Sequence, residues 1–551
     1  MKNLDKRHYI IIGIWFLGNL LQALFTGLHS DESYYWMYSE NLSWGFFDHP
    51  PMTALLIYLG HAVLPGEIGV RLIFILISSI TFALILNELN EKKDLFFVSL
   101  FILSFPLIHT HIAGFMAIPD VPLLFFTTLF IISYRKFLNN PDWKISIFLS
   151  LILAAMIYSK YHAFLIIGFT VFSNLKLFRN KYFYGIILFT VILLLPHVFW
   201  QIHNEFPTFK YHLVERAKPF TFKYILPYLA AQIAIAGPIT GILVFWKFSR
   251  FKPENQFQKT LLFTILGFYI ALFIISFKNR IEAHWIAAII PMLIILTYPL
   301  IAGDPKFKRW FKRIALPVLA LMVLYRIYIA LDVIPNTGHL KITFYNREAS
   351  ALEIKKLSEG KKVGFFNNYA ATSNYIFYTG DSAVHLSTPT YRFCQYDLWD
   401  EEMYAEGEPL FTVQSKNLNP PNQLKIATGQ TKGFLTIEKY QSLNGLTINL
   451  EKTAETENKI EFFFLLNNRS GKTIYTQHIS EPVLAVMQNK TELTAVPLTI
   501  SSKKEKIANN DSALISLSLS KNEMFRRDEP IIFYTRSKEN YRGEIISLTL
   551  E

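Results

Sequence analysis

The sequence predicts a polytopic α-helical membrane protein that continues into a water-soluble C-terminal region. Apolar residues make up 52% of the 551 residues and charged residues only 17%, a balance too apolar for an ordinary soluble protein of this size. Long apolar runs are confined to residues 1–332, whereas residues 333–551 have the composition of a soluble protein. We therefore expect a membrane domain over residues 1–332 and a separate region after it.

Eleven apolar segments are candidate membrane spans, since a spanning helix needs roughly 20 mostly apolar residues. They cover residues 8–26, 68–87, 95–112, 118–138, 144–160, 161–177, 182–202, 224–247, 259–277, 284–302 and 312–332. The first segment lacks a clear small-residue cleavage site, which predicts a retained signal-anchor helix. Segment 51–64 is shorter and bounded by prolines, so we interpret it as an interfacial helix, with a further crossing as the alternative.

Basic residues predict the orientation of these spans. With a cytoplasmic N-terminus, the cytoplasmic connections carry about three times as many Lys and Arg as the opposite ones, as the positive-inside rule requires. The long loop 27–67, on the opposite side, contains no Lys or Arg. Eleven crossings would also place residues 333–551 outside the cytoplasm. The clustering of cations at span ends accounts for the net charge of +12 and favours a membrane over nucleic acid as the partner.

The C-terminal region shows two patterns. Residues 333–429 mix a helical stretch with short strands, which predicts a small α/β unit. Residues 430–551 alternate apolar and polar positions between turn residues, which is typical of a small β-sandwich. Because Cys394 is the single cysteine, the chain has neither an intrachain disulfide nor a Cys-x-x-Cys metal site.

Carboxylates and aromatic residues gather at the predicted outer ends of the spans. Asp31 and Glu32 follow the first span, and Tyr34 and Tyr35 come directly after them in an aromatic-rich loop. A buried carboxylate there could accept a proton from an attacking hydroxyl, whereas a solvated loop acid is the alternative. Asp120 opens the fourth span, where an acid either complements the helix dipole or faces a cavity at membrane depth.

A second polar group precedes segment 51–64, in the stretch GFFDHPPM. Asp48 and His49 are both competent metal ligands, and a protonated histidine also binds phosphate; a helix cap is the alternative role for Asp48. His212, in the polar loop 203–220, could complete a site for a divalent metal ion together with a carboxylate.

Several further polar residues are candidates for holding a substrate. Lys160 lies between two spans joined almost without a loop, where a lysine either extends to the membrane surface or meets a lipid phosphate. Arg216 could clamp a phosphate through two hydrogen bonds. Glu282 and His284 open the tenth span and, with the two tyrosines, are candidates for substrate binding.

Five stretches together carry a family resemblance: DESYYW, GFFDHPPM, IPDVPLLFF, YSKYHAFL and FKNRIEAHW. In this order they resemble the GT-C membrane glycosyltransferases, in particular the dolichyl-phosphate-mannose-protein mannosyltransferases and the bacterial transferases that add 4-amino-4-deoxy-arabinose to lipid A. The resemblance implies that Asp31 is a general base or orients the acceptor, and that Asp120 is the second acid. It also implies that Asp48 and His49 form an acid–cation pair near the metal and the lipid phosphate, although the lipid A enzymes have lysine where this chain has His49.

The predicted topology provides an independent argument about function. Nucleotide sugars are cytoplasmic, so catalytic groups that face outward need a donor that has crossed the membrane, such as a polyprenyl-phosphate sugar. We therefore expect a glycosyltransferase of the bacterial inner membrane that moves one sugar to lipopolysaccharide, lipid A or another envelope glycan. Protein O-mannosylation, transport of lipid-linked glycans and a role in envelope assembly are the alternatives.

Overall fold

The computed structural model describes residues 4–109, 114–215, 220–237, 239–331, 344–399, 401–415, 422–476, 482–488, 491–498, 502–520, 531–537 and 541–548. The chain divides into two compact units, Met1–Tyr345 and Asn346–Glu551. The predicted combination of a helical membrane domain with an α/β and β-rich C-terminal region is confirmed. The boundary predicted at residues 332/333 lies outside the described residues, and the division of the C-terminal region at residue 430 stays a prediction.

Most α-helices of unit 1 follow the predicted apolar segments, whereas Ser30–Glu40 forms a helix in the stretch predicted to be an aromatic-rich loop. The helices are α1 Lys6–Leu24, α2 Ser30–Glu40, α3 Met52–Val63, α4 Gly66–Leu89, α5 Leu95–Leu103, α6 Pro106–His109, α7 Asp120–Asn139, α8 Trp143–Ser159, α9 Ala163–Ser173, α10 Lys181–His203, α11 Ile225–Ile235, α12 Thr240–Ser249, α13 Gln256–Ser276, α14 Ile290–Ala302 and α15 Pro305–Leu331. A 3₁₀ segment, Ala283–Ile289, leads into α14, and a π-helical turn, Lys210–Glu215, follows α10.

The protein is a multi-pass membrane protein. Within the described ranges, six helical segments are long and apolar enough to cross a bilayer: α4, α7, α10, α13, residues 283–302 and α15. The pair α11 and α12, bent by 96°, would be a seventh span if the two form one crossing. The predicted spans 8–26, 95–112, 144–160 and 161–177 contain helices that fall outside this test of length and composition, so the count of eleven stays a prediction.

Close packing of α3 against α4 depends on two glycines. A β-carbon on Gly60 would lie 2.3 Å from the Gly69 carbonyl oxygen, and one on Gly69 would lie 1.6 Å from the Leu64 carbonyl oxygen. No other residue fits there without moving the backbone, because both obstacles are main-chain atoms. The two glycines therefore allow the tight turn between α3 and α4, and α3 itself begins shortly after the stretch that contains Asp48 and His49.

Lipid-facing and protein-facing surfaces differ along the helices. On α10, large apolar side chains such as Leu188 and Phe199 are exposed, whereas α14 buries most of its apolar side chains in the shared core. Exposed apolar surface on this scale is expected of helices in contact with lipid, since hydrocarbon replaces water as their surroundings.

Unit 2 begins with an α/β sheet of strand order β2-β1-β3-β5-β4. Strand β1 (Lys362–Phe366) lies between β2 (Ala383–Leu386) and β3 (Leu410–Ser415) and runs parallel to both. Strands β4 (Asn422–Lys425) and β5 (Thr431–Ile437) complete it in antiparallel pairing. Helices α16 (Arg347–Leu357) and α17 (Tyr369–Thr379) precede and follow β1.

The rest of unit 2 is antiparallel. One sheet has the order β10-β9-β13-β14, a second β12-β7-β6, and a short pair β11-β8. Their bounds are β6 Leu446–Glu455, β7 Lys459–Asn468, β8 Ile474–Tyr475, β9 Val483–Gln488, β10 Thr491–Pro497, β11 Lys506–Ile507, β12 Ser512–Ser520, β13 Ile531–Arg536 and β14 Arg542–Leu548. Burial alternates residue by residue along β7 and β12, so each strand has one core face, as in a sandwich.

The stretch YRFCQYDLW has a structural role in unit 2. The Cys394 backbone N–H donates a 2.7 Å hydrogen bond to Asp397, whose other oxygen accepts one of 3.2 Å from the buried Arg542 on β14. The Arg542 guanidinium also lies 4.3 Å from the centre of the Phe393 ring. This network joins the α/β sheet to the antiparallel strands, which explains why they form one compact unit.

Single-cysteine labelling tests the predicted orientation. In a Cys394→Ser background we expect Lys252→Cys, at an exposed position, to react with a membrane-impermeant maleimide only after spheroplasts are opened. Lys210→Cys is expected to react in intact spheroplasts, because the native side chain is 58% exposed in a loop on the predicted outer side. The cysteine-free parent controls for background labelling, and the reverse pattern would show the opposite threading.

Candidate active site

A cavity of about 740 Å³ in unit 1 brings together most of the polar residues predicted for the site. Its wall includes Asp31, Tyr35, Asp48, His49, Asp120, Lys160, His212, Glu282 and His284. Two predicted residues, Glu32 and Tyr34, are fully buried behind this wall, and Arg216 lies outside the described residues. Residues from six separate stretches of the chain therefore converge on one space.

Asp120 and Lys160 form a buried ion pair in the wall. The Lys160 Nζ donates to both carboxylate oxygens of Asp120, at 2.8 and 2.9 Å, and His284 Nε2 lies 3.9 Å from the same carboxylate. Asp120 is the first residue of α7, and Lys160 ends α8 with an extended backbone that directs the chain into α9. Because Asp120 compensates its charge, Lys160 does not present an isolated cation to a phosphate.

Asp31 presents an accessible carboxylate to the cavity. It lies in the first turn of α2, and its side chain is 45% exposed. His29 Nδ1 lies 3.6 Å from the Asp31 carboxylate and accepts a 3.2 Å hydrogen bond from the Asp31 backbone N–H. Among the described residues, no lysine or arginine forms an ion pair with Asp31, and a reachable carboxylate of this kind is suited to accept a proton from a bound hydroxyl.

Glu32 is held in a different environment from its neighbour. Its oxygens accept hydrogen bonds from Arg71 Nε at 2.8 Å and Nη2 at 2.6 Å, and both side chains are fully buried. The backbone N–H groups of His29 and Ala117 donate to the same carboxylate at 2.8 and 2.9 Å. Burial alone would raise the pKa of Glu32, but the Arg71 charge and these hydrogen bonds lower it. The geometry favours a structural role over the predicted catalytic one.

Asp48, His49 and His212 form another part of the wall. The Tyr38 hydroxyl donates to Asp48 Oδ1 at 2.8 Å, and His212 Nε2 donates to the Asp48 backbone carbonyl at 3.3 Å. The rings of His49 and Tyr35 meet edge to face, with centroids 5.4 Å apart. Desolvation lowers the pKa of His49 to about 4, although the Asp48 charge opposes this. A neutral imidazole near neutral pH does not fit the predicted role of His49 as a cation for the donor phosphate.

Asp48 and His212 also bear on the predicted divalent metal ion. In the part of the chain that the structure describes, no group of three or more His, Cys, Asp and Glu residues is arranged to hold a metal. His212 contacts the backbone carbonyl of Asp48, and an ion bound by the two side chains would need its other ligands from water or substrate. An ion held in this way would add positive charge beside a bound phosphate.

An apolar cavity adjoins the polar one. Its volume is about 380 Å³, and it lies between α7, α8, α9 and α10, with a lining that is almost entirely hydrocarbon and aromatic. Phe164 on α9 contributes to the walls of both cavities. A molecule with a charged end and an apolar chain could therefore place one part in each.

Comparisons with known proteins agree with this architecture. Residues 48–200 match the model of a family described as dolichyl-phosphate-mannose-protein mannosyltransferase. The crystal structure of ArnT from Cupriavidus metallidurans in the apo state matches with a TM-score of 0.51 and 14% identity, covering 78% of this chain and 96% of that one. The chain has a GT-C fold. The resemblance noted from the five sequence stretches is thus confirmed.

Two other solved structures show weaker similarity to this GT-C chain. ArnT from the same organism bound to undecaprenyl phosphate gives a TM-score of 0.49 at 13% identity, covering 78% of this chain and 98% of that one. An oligosaccharyltransferase from Archaeoglobus fulgidus tethered to an acceptor peptide gives 0.39 at 12% identity, covering 70% and 64%. No curated protein sequence matches the chain closely enough to count as a relative.

Sequence reasoning missed several residues that line the GT-C cavity. His162 packs edge to face on Trp285 with ring centroids 4.9 Å apart, and Asn279 and Tyr161 also reach the wall. His29 caps α2 and contacts Asp31. A signal was available for His162, Tyr161 and Asn279, because they lie inside stretches that carry the family resemblance. His29, two residues before the start of DESYYW, had no such signal.

Loss of the Glu32–Arg71 ion pair is expected to lower the stability of the protein strongly. We expect Arg71→Ala to lower the free energy of unfolding by about 3–5 kcal/mol, because it leaves the Glu32 carboxylate buried without its cation. Arg7→Ala is the matched control, since Arg7 is 63% exposed in its pair with Asp5 and should matter little. Thermal unfolding in detergent measures both variants, and equal stability would show that the buried pair does not hold the fold together.

Proposed function

We propose that this protein transfers a single sugar from a polyprenyl-phosphate donor to an acceptor in the bacterial envelope, at the outer face of the inner membrane. One observation carries the proposal. An accessible carboxylate, Asp31, and a buried Asp120–Lys160 pair share a cavity that adjoins an apolar space. A reaction between a lipid-linked donor and a polar acceptor needs a base, charge stabilisation and room for a lipid chain in one place.

Asp31 is the proposed general base. The acceptor hydroxyl oxygen attacks the anomeric carbon of the donor sugar while the Asp31 carboxylate takes the hydroxyl proton. The bond from the anomeric carbon to the phosphate oxygen breaks, and its electron pair leaves with the polyprenyl phosphate. The half exposure of Asp31 supports this role, because the acceptor must reach the carboxylate from the cavity.

The Asp120–Lys160 pair is proposed to respond to the charge of the leaving phosphate. In the ion pair the Lys160 ammonium is already oriented, and a phosphate that enters the cavity can share its hydrogen bonds with Asp120. His284, which faces the same carboxylate, is placed to donate as well. Arg216 remains a proposed phosphate ligand, and Tyr35 and Glu282 on the wall are proposed to hold the acceptor or the sugar.

The apolar cavity supports a lipid-linked donor. Its wall, which extends from Phe164 between α7, α8, α9 and α10, suits the first isoprenoid units of a polyprenyl chain. The matched family is named for a dolichyl-phosphate sugar, which also supports a polyprenyl-phosphate donor. We favour lipopolysaccharide, lipid A or another envelope glycan as acceptor, and the family description keeps protein O-mannosylation as the second candidate.

Loss of Asp31 is expected to slow the reaction without unfolding the protein. In proteoliposomes supplied with polyprenyl-phosphate sugars and an envelope fraction, Asp31→Asn should release polyprenyl phosphate at least about a hundredfold more slowly than the wild type. Mass spectrometry of the released lipid measures the rate. Glu205→Gln is the matched control, because this carboxylate is 83% exposed and does not line the cavity.

The outcomes of this experiment separate the alternatives. Equal rates for Asp31→Asn and the wild type would show that Asp31 is not the base. Release of no polyprenyl phosphate by the wild type with any sugar would favour a transporter or an assembly factor over a transferase. If protein fractions, and not glycolipid fractions, gain the sugar, the acceptor is a protein.

The proposal that Asp48 and His212 bind a divalent ion leads to a separate prediction about the reaction rate. We expect chelation to lower the wild-type rate by at least about tenfold, and readdition of a divalent metal to restore it, since the ion would stabilise the departing phosphate. His212→Ala should then be slow with or without added metal. A rate that is unchanged by chelation, together with normal activity of His212→Ala, would show that this pair only shapes the loop.

A further inference from the structure

A second polar pocket lies in unit 2, far along the sequence from the proposed active-site residues. Its volume is about 130 Å³, which suits one small chemical group rather than an oligosaccharide. It opens where β1 and β3 end: Asn367 and Asn368 follow β1, and Gln414 and Ser415 end β3.

The position of this pocket follows from the topology of the sheet. The chain leaves β1, passes through α17 and returns as β2 on one side, whereas the chain that leaves β3 continues into β4 and β5 on the other side. Because β1 and β3 are parallel neighbours, these two connections diverge between their carboxyl ends and leave a crevice. In open α/β sheets, ligands bind in the crevice at this switch point.

Two hydrogen-bond acceptors in this pocket are unmatched. Asn374 on α17 is only 4% exposed, and its Nδ2 donates to the Ala370 carbonyl at 2.8 Å, which fixes the orientation of the amide. Among the described residues, neither Asn374 Oδ1 nor the buried Thr428 Oγ1 has a hydrogen-bond partner. Both residues line the pocket. Burying such atoms is costly unless a donor reaches them, which points to a ligand that carries hydroxyl groups.

The charges in the pocket wall have one sign. Two cations line the pocket. Arg347 lies at the start of α16, and Lys432 lies on β5, where it pairs with Ser415 of β3. Of the described residues that form the wall, none is an aspartate or glutamate. Burial lowers the pKa of Arg347, because a buried guanidinium loses part of its hydration.

We infer that this pocket binds a small oxyanion that carries its own hydroxyl donors, of which the hydroxycarboxylate part of an acidic sugar is the form we favour. The carboxylate would meet Arg347 and Lys432, and the hydroxyl groups would donate to Asn374 and Thr428. Monohydrogen phosphate offers the same chemistry from a second source. The inference concerns unit 2 alone and does not depend on the proposed transferase activity.

Calorimetric titration of the full-length protein in detergent tests the inference. Three probes are compared: glucuronate, inorganic phosphate and glucose. We expect glucuronate to bind and glucose, which has hydroxyl groups but no charge, to bind at least about tenfold more weakly. Binding of phosphate without binding of glucuronate would support the oxyanion site and assign it to the second source.

Two variants identify the pocket as the binding site. Asn374→Asp keeps the shape of the side chain but adds a negative charge, so it should weaken glucuronate binding by at least about tenfold. Lys432→Gln should also weaken binding, and it keeps the test informative if the buried Asn374 variant fails to fold. Lys439→Gln, at an exposed position outside the pocket, is the charge-matched control and should bind normally.

Three results would overturn the inference. The first is that neither anion binds. The second is that glucose binds as tightly as glucuronate, which would remove the role of the two cations. The third is that correctly folded Asn374→Asp and Lys432→Gln bind like the wild type, which would place the anion elsewhere on the protein.

Discussion

The buried ion pair between Glu32 and Arg71 is the interaction on which the candidate active site depends. The Arg71 guanidinium donates not only to Glu32 but also to the carbonyl oxygens of Ala23, at 3.2 Å, and Gly27, at 2.7 Å. Glu32 in turn accepts from the Ala117 backbone, three residues before Asp120. Because a buried charge needs all of these partners, the end of α1, the start of α2 and the segment before α7 are held together. This arrangement sets the distance between the two acids proposed for the reaction.

Three acids, Glu32, Asp120 and Asp31, show how different surroundings give one functional group different roles. Glu32 has every oxygen occupied and no access to the cavity, so it can neither bind substrate nor exchange a proton readily. Asp120 faces the cavity but is matched by Lys160, and this pair is the one proposed to respond to an incoming phosphate. Asp31 is reachable, and His29 is its one ion-pair partner among the described residues. Asp31 and Glu32, although adjacent in the sequence, thus differ in accessibility because Glu32 points into the protein and Asp31 points into the cavity.

The sequence predicted the helices and the grouping of polar residues more fully than it predicted their pairing. Apolar runs and basic loops report local chemistry, so the segments and the outer cluster could be identified. The partners of Glu32 and Asp120 lie 39 and 40 residues away and depend on how helices pack, which no local pattern encodes. Arg71 was overlooked inside an apolar segment, although a charge at such a position is itself a signal of a buried partner. The low pKa of His49 also depends on burial, which the stretch GFFDHPPM does not reveal.

The requirement that buried polar groups be matched also distinguishes the pocket of unit 2 from its surroundings. Unmatched atoms alone do not mark a site, since Thr535 Oγ1 on β13 is also buried and without a partner among the described residues. Asn374 and Thr428 differ because they line one opening, at the switch point of the mixed α/β sheet, together with two cations and no described acid. Buried polar atoms that have no hydrogen-bond partner lower the free energy of unfolding. A ligand that supplies both a negative charge and hydroxyl donors removes that cost, and neither a neutral sugar nor a bare monovalent anion does so completely.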